Sequence, residues 1–319
     1  MPPAGGCCAS AELIPFAATL AALAPVFLLI LIGHLMKRGG FPGDGFWEPA
    51  ERLTYYVLFP ALLVGNLARA PLADVSLGPF ALALVVSWSV VALALLLLGR
   101  WLTMDGPGFT SVVQGGIRFN TYVGLAAAEA LFGTAGLTLA AVVIAVLVPL
   151  VNVLCVGVLN RHGSAGMPGW GAVLRGLVSN PLILACLLGI LLNASAVGLP
   201  WGSGQVLDIV ARAALPLGLL AVGAGLNART IRDRHGAVVA VSAVKLVGLP
   251  LVAFAVAWLL GLPPAERTIA VLFAALPTAP SAYILARQMG GDAQLVAGML
   301  TLQTVAAVLT LPLMLAWLA

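Results

Sequence analysis

Two stretches of polar residues interrupt otherwise apolar segments, and they hold the side chains best suited to recognise a small molecule. The first stretch reads QGGIRFNTYVG and the second reads LPTAPSAYIL. The candidate substrate-binding residues in them are Arg118, Asn120, Thr121, Tyr122, Pro277, Thr278, Pro280, Ser281 and Tyr283. A guanidinium carries a planar fork of N–H donors that matches a carboxylate. The presence of an arginine among these polar residues therefore predicts binding of an organic anion.

Arg118 carries the only charge in this group. An arginine inside an apolar segment is costly, and its side chain usually faces a cavity or a partner. The sequence leaves two arrangements open. The guanidinium faces a cavity and binds the anion, or it reaches the inner membrane surface or pairs with a fixed acid.

Pro277 and Pro280 stand three residues apart inside the second segment. A proline inside a helix removes one backbone hydrogen bond and costs about 3 kcal/mol or more. Two prolines at this spacing, with Thr278 and Ser281 beside them, predict a broken helix whose open backbone lines a cavity. The alternative is a simple proline kink, because prolines are common in membrane helices.

Two further ionisable residues, Lys245 and Glu129, lie inside apolar segments. Because a buried lysine or carboxyl group changes its protonation easily, both are candidates for proton coupling. A structural ion pair is the alternative for each. Asp208 and Arg212 are four residues apart, which predicts a local ion pair on one helix.

The sequence lacks the residue patterns that several classes of protein require. There is no phosphate-binding loop, nucleophile elbow or HExxH motif, so we predict neither an enzyme nor a cofactor. The three histidines are scattered, and the cysteines have no metal-ligand spacing, so no metal site is predicted. The net charge of +4 is small and dispersed, which excludes nucleic acid as a partner. The cysteines are Cys7 and Cys8, to which we assign no role, and Cys155 and Cys186, which we expect in the core.

The composition predicts an all-α membrane protein. Of 319 residues, 62% are hydrophobic and 8% are charged, whereas charged residues make up about 25% of soluble domains. Because backbone groups in lipid must pair internally, continuously apolar segments of this kind are helices. We predict ten spans: 13–36, 53–69, 79–102, 109–132, 136–159, 172–193, 205–227, 236–260, 266–288 and 293–317.

The basic residues predict the orientation of these spans. Lysine and arginine concentrate in cytoplasmic loops of membrane proteins. With the N-terminus outside, the outer loops hold Arg69 and Arg267, and the inner ends hold Lys37, Arg38, Arg52, Arg100, Arg161, Arg175, Arg229, Arg232, Arg234 and Arg287. We therefore expect a multi-pass protein of the inner (plasma) membrane with both termini on the non-cytoplasmic side.

Matching features in the two halves of the chain predict an internal repeat. In chain order the pairs are Pro25 with Pro181, Pro60 with Pro216, Tyr122 with Tyr283, and Pro149 with Pro312. They divide the chain into two five-helix repeats, 1–160 and 161–319. Because five is odd, the second repeat starts on the opposite side of the membrane and is inverted. The inverted repeat is the architecture of many secondary transporters, whose substrate sites lie where broken helices meet. Chance alignment of prolines is the alternative.

Four motifs resemble the bacterial auxin efflux carrier family: RFNTYVGLAAAEALFG, LPLGLLAVGAGL, KLVGLPL and ALPTAPSAYILARQMGGD. The family is similar to the plant auxin carriers and, more distantly, to the bile acid sodium symporters. The resemblance implies a scaffold of helices 1, 2, 6 and 7 and a transport domain of helices 3–5 and 8–10. It also implies that broken helices 4 and 9 cross at the substrate. The plant carriers have a proline in the fourth-helix motif, and Phe119-Asn120-Thr121-Tyr122 has none, so the fourth-helix break is expected to be softer than the ninth.

The function predicted from these observations is secondary transport of a small organic anion by elevator-type alternating access. The resemblance implies substrates such as malate, malonate or an auxin-like acid. A sodium-coupled symporter of the bile acid type and a membrane receptor using the same pocket are the alternatives. The predicted partners are the small organic anion and the lipid bilayer, and a homodimer is left open.

Overall fold

The computed structural model describes residues 16–72, 75–99, 104–164, 179–195, 202–226 and 235–318, together with Gly171 and Leu199. All regular structure in these ranges is helical, as the composition predicted. The α-helices are α1 Phe16–Arg38, α2 Asp44–Leu53, α3 Phe59–Leu67, α4 Leu77–Leu98, α5 Gly106–Ile117, α6 Thr121–His162, α7 Pro181–Ala194, α8 Ser203–Ala211, α9 Ala214–Ala224, α10 His235–Ala243, α11 Leu249–Leu259, α12 Pro264–Ala274, α13 Pro280–Met289 and α14 Ala293–Leu318. Two π turns, Thr54–Leu58 and Val244–Gly248, connect α2 to α3 and α10 to α11.

Six runs of helix are long and apolar enough to cross a membrane: Phe16–Arg38, Leu77–Leu98, Gly106–His162, Ser203–Ala224, His235–Leu259 and Ala293–Leu318. The run from Gly106 to His162 has 57 residues, which is enough for two spans of about 20 residues each. Gly133 divides this run, because its φ of 58° and ψ of −140° belong to a conformation that only glycine adopts readily. The turn falls between the predicted fourth and fifth spans.

The outer faces of several helices suit contact with lipid. Large apolar side chains stay exposed there, including Leu28 on α1, Leu93 on α4, Leu191 on α7 and Leu309 on α14. The core lies around α12, where every residue from Ile269 to Thr278 is buried. Hydrophobic side chains thus cover both the inside and the outside of the bundle, as expected for a protein surrounded by hydrocarbon.

The predicted fourth and ninth spans are both broken. In the fourth, α5 ends at Ile117 and α6 begins at Thr121, with Arg118 and Asn120 in extended conformations. In the ninth, α12 ends at Ala274 and α13 begins at Pro280. The break in the fourth span is the shorter of the two, with three residues between its helices against five in the ninth, and it forms without a proline.

Some predictions lie outside the described residues. These are the segment 172–178 at the start of the sixth predicted span, Cys7 and Cys8, and half of the basic residues assigned to the inner side: Arg100, Arg175, Arg229, Arg232 and Arg234. The described ends of the other predicted spans agree with the helix ends to within a few residues, except that helix α2 precedes the second span.

Candidate functional site

The two broken helices meet at their breaks, residues 118–120 and 275–279, which we call the crossing. The backbone N–H of Asn120 donates to the carbonyl oxygen of Pro277 at 2.8 Å. Beside this bond, the rings of Phe119 and Phe273 pack edge to face with 5.7 Å between their centroids. The crossing therefore brings the two predicted polar stretches into direct contact.

Each break exposes backbone groups at a helix end, and three of the four ends receive a side-chain partner. Trp88 Nε1 donates to the carbonyl of Ile117, the last residue of α5, at 2.9 Å. Lys245 Nζ donates to the carbonyl of Ala274, the last residue of α12, at 3.0 Å. Asn120 Oδ1 accepts from the first turn of α6.

The fourth helix end, at the start of α13, has no side-chain cap. Its N-cap position is Ala279, which has no oxygen in its side chain. The first turn of a helix carries unpaired N–H groups and a partial positive charge. Such an end is a natural binding site for an anion.

Arg118 lies beside this open helix end. Its Nη1 donates to Ser281 Oγ, in the first turn of α13, at 3.1 Å, and its Nη2 donates to Asn152 Oδ1 of α6 at 2.6 Å. The residue is only 7% exposed, whereas Ser281 is exposed. Both acceptors are neutral, and no ion pair joins Arg118 to an acid within the described part of the chain.

Several buried polar atoms at the first break have no hydrogen-bond partner within the described part of the chain. They are Nε of Arg118, Nδ2 of Asn120, and both amide atoms of Gln114. These three residues are buried, and an unsatisfied buried polar group costs about 1–3 kcal/mol. Their concentration within seven residues indicates a place where a polar molecule binds.

Thr278, in the second break, takes part in a hydrogen-bond network that the sequence did not reveal. Its hydroxyl is 2.8 Å from the carbonyl of Gly115 and 2.7 Å from Gln303 Oε1, which also accepts from the Thr278 backbone N–H at 2.9 Å. Gln303 Nε2 donates to the same Gly115 carbonyl at 3.1 Å. Thr278 and Gln303 are fully buried, so these contacts brace the two breaks against α14.

The remaining predicted residues of the ninth span take different positions. Pro277 supplies the carbonyl of the crossing, and Pro280 is the first residue of α13. Tyr283 is 36% exposed, and its ring lies 5.9 Å from the guanidinium of Arg287. This ring therefore faces the outside of α13 more than the crossing.

On the fourth span, Thr121 is the half-buried first residue of α6. Tyr122 is buried, and its ring stacks on Phe59 of α3 at 4.6 Å between centroids. Glu129 is exposed, two turns of α6 beyond Tyr122, so the structure does not bring it to the crossing.

Two further helix ends are capped by side chains, and one local prediction is wrong. Asn180 caps α7 and Asp292 caps α14 through their side-chain oxygens. Asp208, however, pairs with Arg69 at 2.9 Å rather than with Arg212. The i and i+4 spacing is only a local signal, and Arg69 of the adjacent segment reaches the carboxylate instead.

Asn152, Gln303 and Trp88 are the site residues that the motifs missed. Each is a polar or indole side chain inside an apolar helix. Polar residues inside membrane spans usually have a function or a partner, and that signal could have singled out Asn152 and Gln303. Their partners are distant in the chain, so spacing alone did not reveal them.

An apolar groove of about 670 Å³ lies away from the crossing, on α3, α7 and α8. Its lining includes Val57, Val64, Leu188 and Val206 and contains no charged side chain. The groove suits hydrocarbon and not an organic anion.

Comparison with known proteins agrees with this architecture. Residues 170–315 match the model of a family described as "Membrane transport protein". The chain is also similar to an "Uncharacterized transporter" of Methanothermobacter thermautotrophicus, with 27% identity over 291 residues, which are 90% of this chain and 94% of that protein. Over its second half the chain is thus similar to the membrane transport protein family, and over nearly its whole length it is similar to a transporter. The resemblance found in the four motifs is thereby confirmed.

The name of a second relative of this chain includes a substrate. It is the "Putative malonate transporter" of Rhizobium meliloti, which is 26% identical over 284 residues, covering 83% of this chain and 85% of that protein. The match to a membrane transport family and the long apolar helices together indicate a multi-pass membrane transport protein.

Proposed function

We propose that this transporter moves a small organic anion and binds the carboxylate of that anion with Arg118. The observation that carries the proposal is the position of this buried guanidinium at the crossing, where Ser281 and Asn152 accept its hydrogen bonds and the Cys155 thiol also interacts with it. A carboxylate holds a guanidinium more strongly than a neutral acceptor does, because it adds the attraction of an opposite charge and can accept two parallel N–H bonds. An incoming carboxylate can therefore displace these neutral acceptors.

The surrounding groups support the same ligand. The uncapped N-terminus of α13 presents its partial positive charge and the N–H of Ser281 to an anion, since Pro280 has no N–H and the N–H of Ala282 already donates to Ala279. The unpaired amide groups of Gln114 and Asn120 offer further donors. Ser281, which bonds the buried Arg118, is itself exposed, so one partner of the guanidinium lies at the surface of the protein.

The other candidate residues take supporting parts in this proposal. Thr121 and Pro280 begin the two helices that point at the ligand, and Pro277 and Thr278 hold the second break in place. Tyr122 packs between the crossing and α3. Tyr283 has the weakest support as a substrate contact because its ring is exposed and lies near Arg287.

The proposed mechanism is elevator-type alternating access by two inverted five-helix repeats, 1–160 and 161–319. One feature of the crossing supports the repeat. Trp88 and Ile117 are 29 residues apart, and Lys245 and Ala274 are also 29 residues apart, although the two bonds serve different breaks. In this proposal helices 3–5 and 8–10 move against helices 1, 2, 6 and 7, and both termini lie outside the inner (plasma) membrane.

Malonate is the first substrate to test, because a relative of this chain is named for it. Malate and an auxin-like acid follow from the family. Purified protein in proteoliposomes should take up labelled malonate or a competing carboxylate, and Arg118→Ala should lower the rate by roughly tenfold or more. The matched control is Arg69→Ala, which removes a half-exposed arginine far from the crossing and should leave the rate nearly unchanged.

Full uptake by Arg118→Ala would contradict the part assigned to this arginine. Lack of uptake of every carboxylate by the wild-type protein would contradict the proposed substrate class.

A further inference from the structure

Lys245 is a fully buried lysine, with 0% exposure, in the π turn between α10 and α11. Its ammonium donates to the carbonyl of Ala274, where α12 ends at the crossing. The ring of Trp88 lies on another side, with 5.6 Å between the nitrogen and the ring centroid. A charge in this position needs a reason, because burying a cation in a low-dielectric interior is costly.

The end of α12 supplies part of the compensation. The C-terminus of a helix carries about half a negative charge, and cations beside it are stabilised. The face of an indole ring attracts a cation within about 6 Å of its centroid. Trp88 also donates its own N–H to Ile117 at the end of α5, so one lysine and one tryptophan together complete both C-terminal helix ends at the crossing.

No carboxylate takes part in this arrangement. In the described ranges the acid–base pairs are Lys37 with Asp44 and Arg69 with Asp208, and both are far from Lys245 in the chain. The structural ion pair that the sequence offered as an alternative for Lys245 is therefore not the arrangement found. The ammonium rests on a backbone carbonyl and an aromatic face.

Transporters with broken helices commonly use such carbonyls to bind a dissolved ion. Unwound backbone and the C-terminal ends of half-helices coordinate the sodium ion or proton that drives transport. Here the carbonyl at the end of α12 already has a cation, and that cation is covalently attached to the chain.

We propose that the Lys245 ammonium is a tethered cation that occupies a cation site at the end of α12 and makes a dissolved metal ion unnecessary there. The evidence for the cation site is the set of contacts that Lys245 makes, and it does not depend on the transport function. Its consequence, that uptake does not need sodium, rests on the proposed transport function.

The test of the site uses stability and needs no substrate. Lys245→Ala removes the charge and leaves a cavity beside the Ala274 carbonyl, and engineered cavities of this kind can bind small ligands. Methylammonium should raise the melting temperature of this variant progressively with concentration. Choline, which is larger and has no N–H donor, should not do so.

Lys37→Ala is the matched control, because the chain has only one other lysine and that lysine is partly exposed and paired with Asp44. Neither this variant nor the wild-type protein should respond selectively to methylammonium. An absence of selective stabilisation of Lys245→Ala would overturn the cation site.

Lys245→Gln provides a second variant if the alanine protein does not fold. Glutamine keeps an N–H donor for the carbonyl but lacks the charge. It should be less stable than the wild-type protein. Equal stability would show that a neutral hydrogen bond suffices and would overturn the proposal.

Uptake tests the consequence separately. Wild-type uptake should be the same in sodium, potassium and choline buffers, and a requirement for sodium would contradict the tethered cation. If the wild-type protein takes up no carboxylate but Lys245→Ala still responds to methylammonium, the proposed substrate is wrong and the cation site stands.

Discussion

The two breaks at the crossing satisfy their helix ends in different ways. The break in the fourth span contains Asn120, which caps α6, and a neutral indole N–H that bonds the end of α5. The break in the ninth span has no side-chain cap on α13, and a lysine bonds the end of α12. The first break therefore contributes the charged Arg118, and the second contributes the open helix N-terminus beside it.

Two breaks with similar backbone conformations can therefore contribute different chemical groups to one binding site. The residue before each second half-helix, Asn120 or Ala279, is extended in both cases. Their side chains differ in whether they carry an oxygen. An oxygen at this position closes the helix end, and an alanine leaves the end available to a ligand.

The largest effect on stability should come from Gln303→Leu, which removes the brace shared by the two breaks. The change leaves the Thr278 N–H without its acceptor and the Gly115 carbonyl without one donor. The Gly115 carbonyl keeps the Thr278 hydroxyl, so one buried group is left unsatisfied, and we expect a loss of about 1–3 kcal/mol in the free energy of unfolding. Chemical denaturation of the purified protein measures it. A loss below that of a typical surface substitution would show that the brace is unimportant.

Adding a side-chain cap to α13 should have an intermediate effect on stability, and it tests directly whether the uncapped helix end binds the anion. Ala279→Asn places an asparagine before Pro280, in the same arrangement by which Asn180 caps α7 before Pro181. The new cap should stabilise the protein by about 0.5–1 kcal/mol and weaken anion binding, because its oxygen occupies the N–H groups that the anion needs.

The reverse substitution is Asn120→Ala, which should destabilise α6 by about 1 kcal/mol. Thermal unfolding and ligand titration of both variants measure these effects. Unchanged affinity in a stabilised Ala279→Asn protein would mean that the α13 end does not bind the anion.

The smallest effect should come from Tyr283→Phe. The hydroxyl lies on a partly exposed ring next to Arg287, and surface substitutions usually change the stability by less than about 0.5 kcal/mol. Uptake and melting temperature should both match the wild-type values. A strong loss of uptake would return Tyr283 to the substrate contacts and change the position of the site.

The sequence predicted the helices well because each span is a long local signal. The ends of α4, α11 and α14 lie close to the predicted boundaries, and the two prolines of the ninth span marked its break correctly. The break in the fourth span was expected to be soft because it has no proline. At this break the backbone N–H of Asn120 donates to the carbonyl of Pro277. The two residues are far apart in the chain, so no local pattern contains this bond.

The site itself was only partly predictable for the same reason. Arg118 and Ser281 were recognisable as polar residues in apolar spans, but the direction of the arginine depends on Asn152 and on the packing of α13. The bonds of Gln303 and Trp88 join different helices, so no local pattern contains them. The pairing of Asp208 with Arg69 was missed because a nearby arginine on the same helix offered a simpler local partner.

The measurement that tests the central claim most directly is calorimetric titration of purified wild-type and Arg118→Ala protein with malonate and the competing carboxylates. Arg69→Ala serves as the control. Loss of a buried charged partner typically costs about 2–5 kcal/mol, so the wild-type and Arg69→Ala proteins should bind a carboxylate with similar affinity and Arg118→Ala should bind it roughly 30-fold more weakly or worse. Equal affinity of the wild-type and Arg118→Ala proteins would contradict the account.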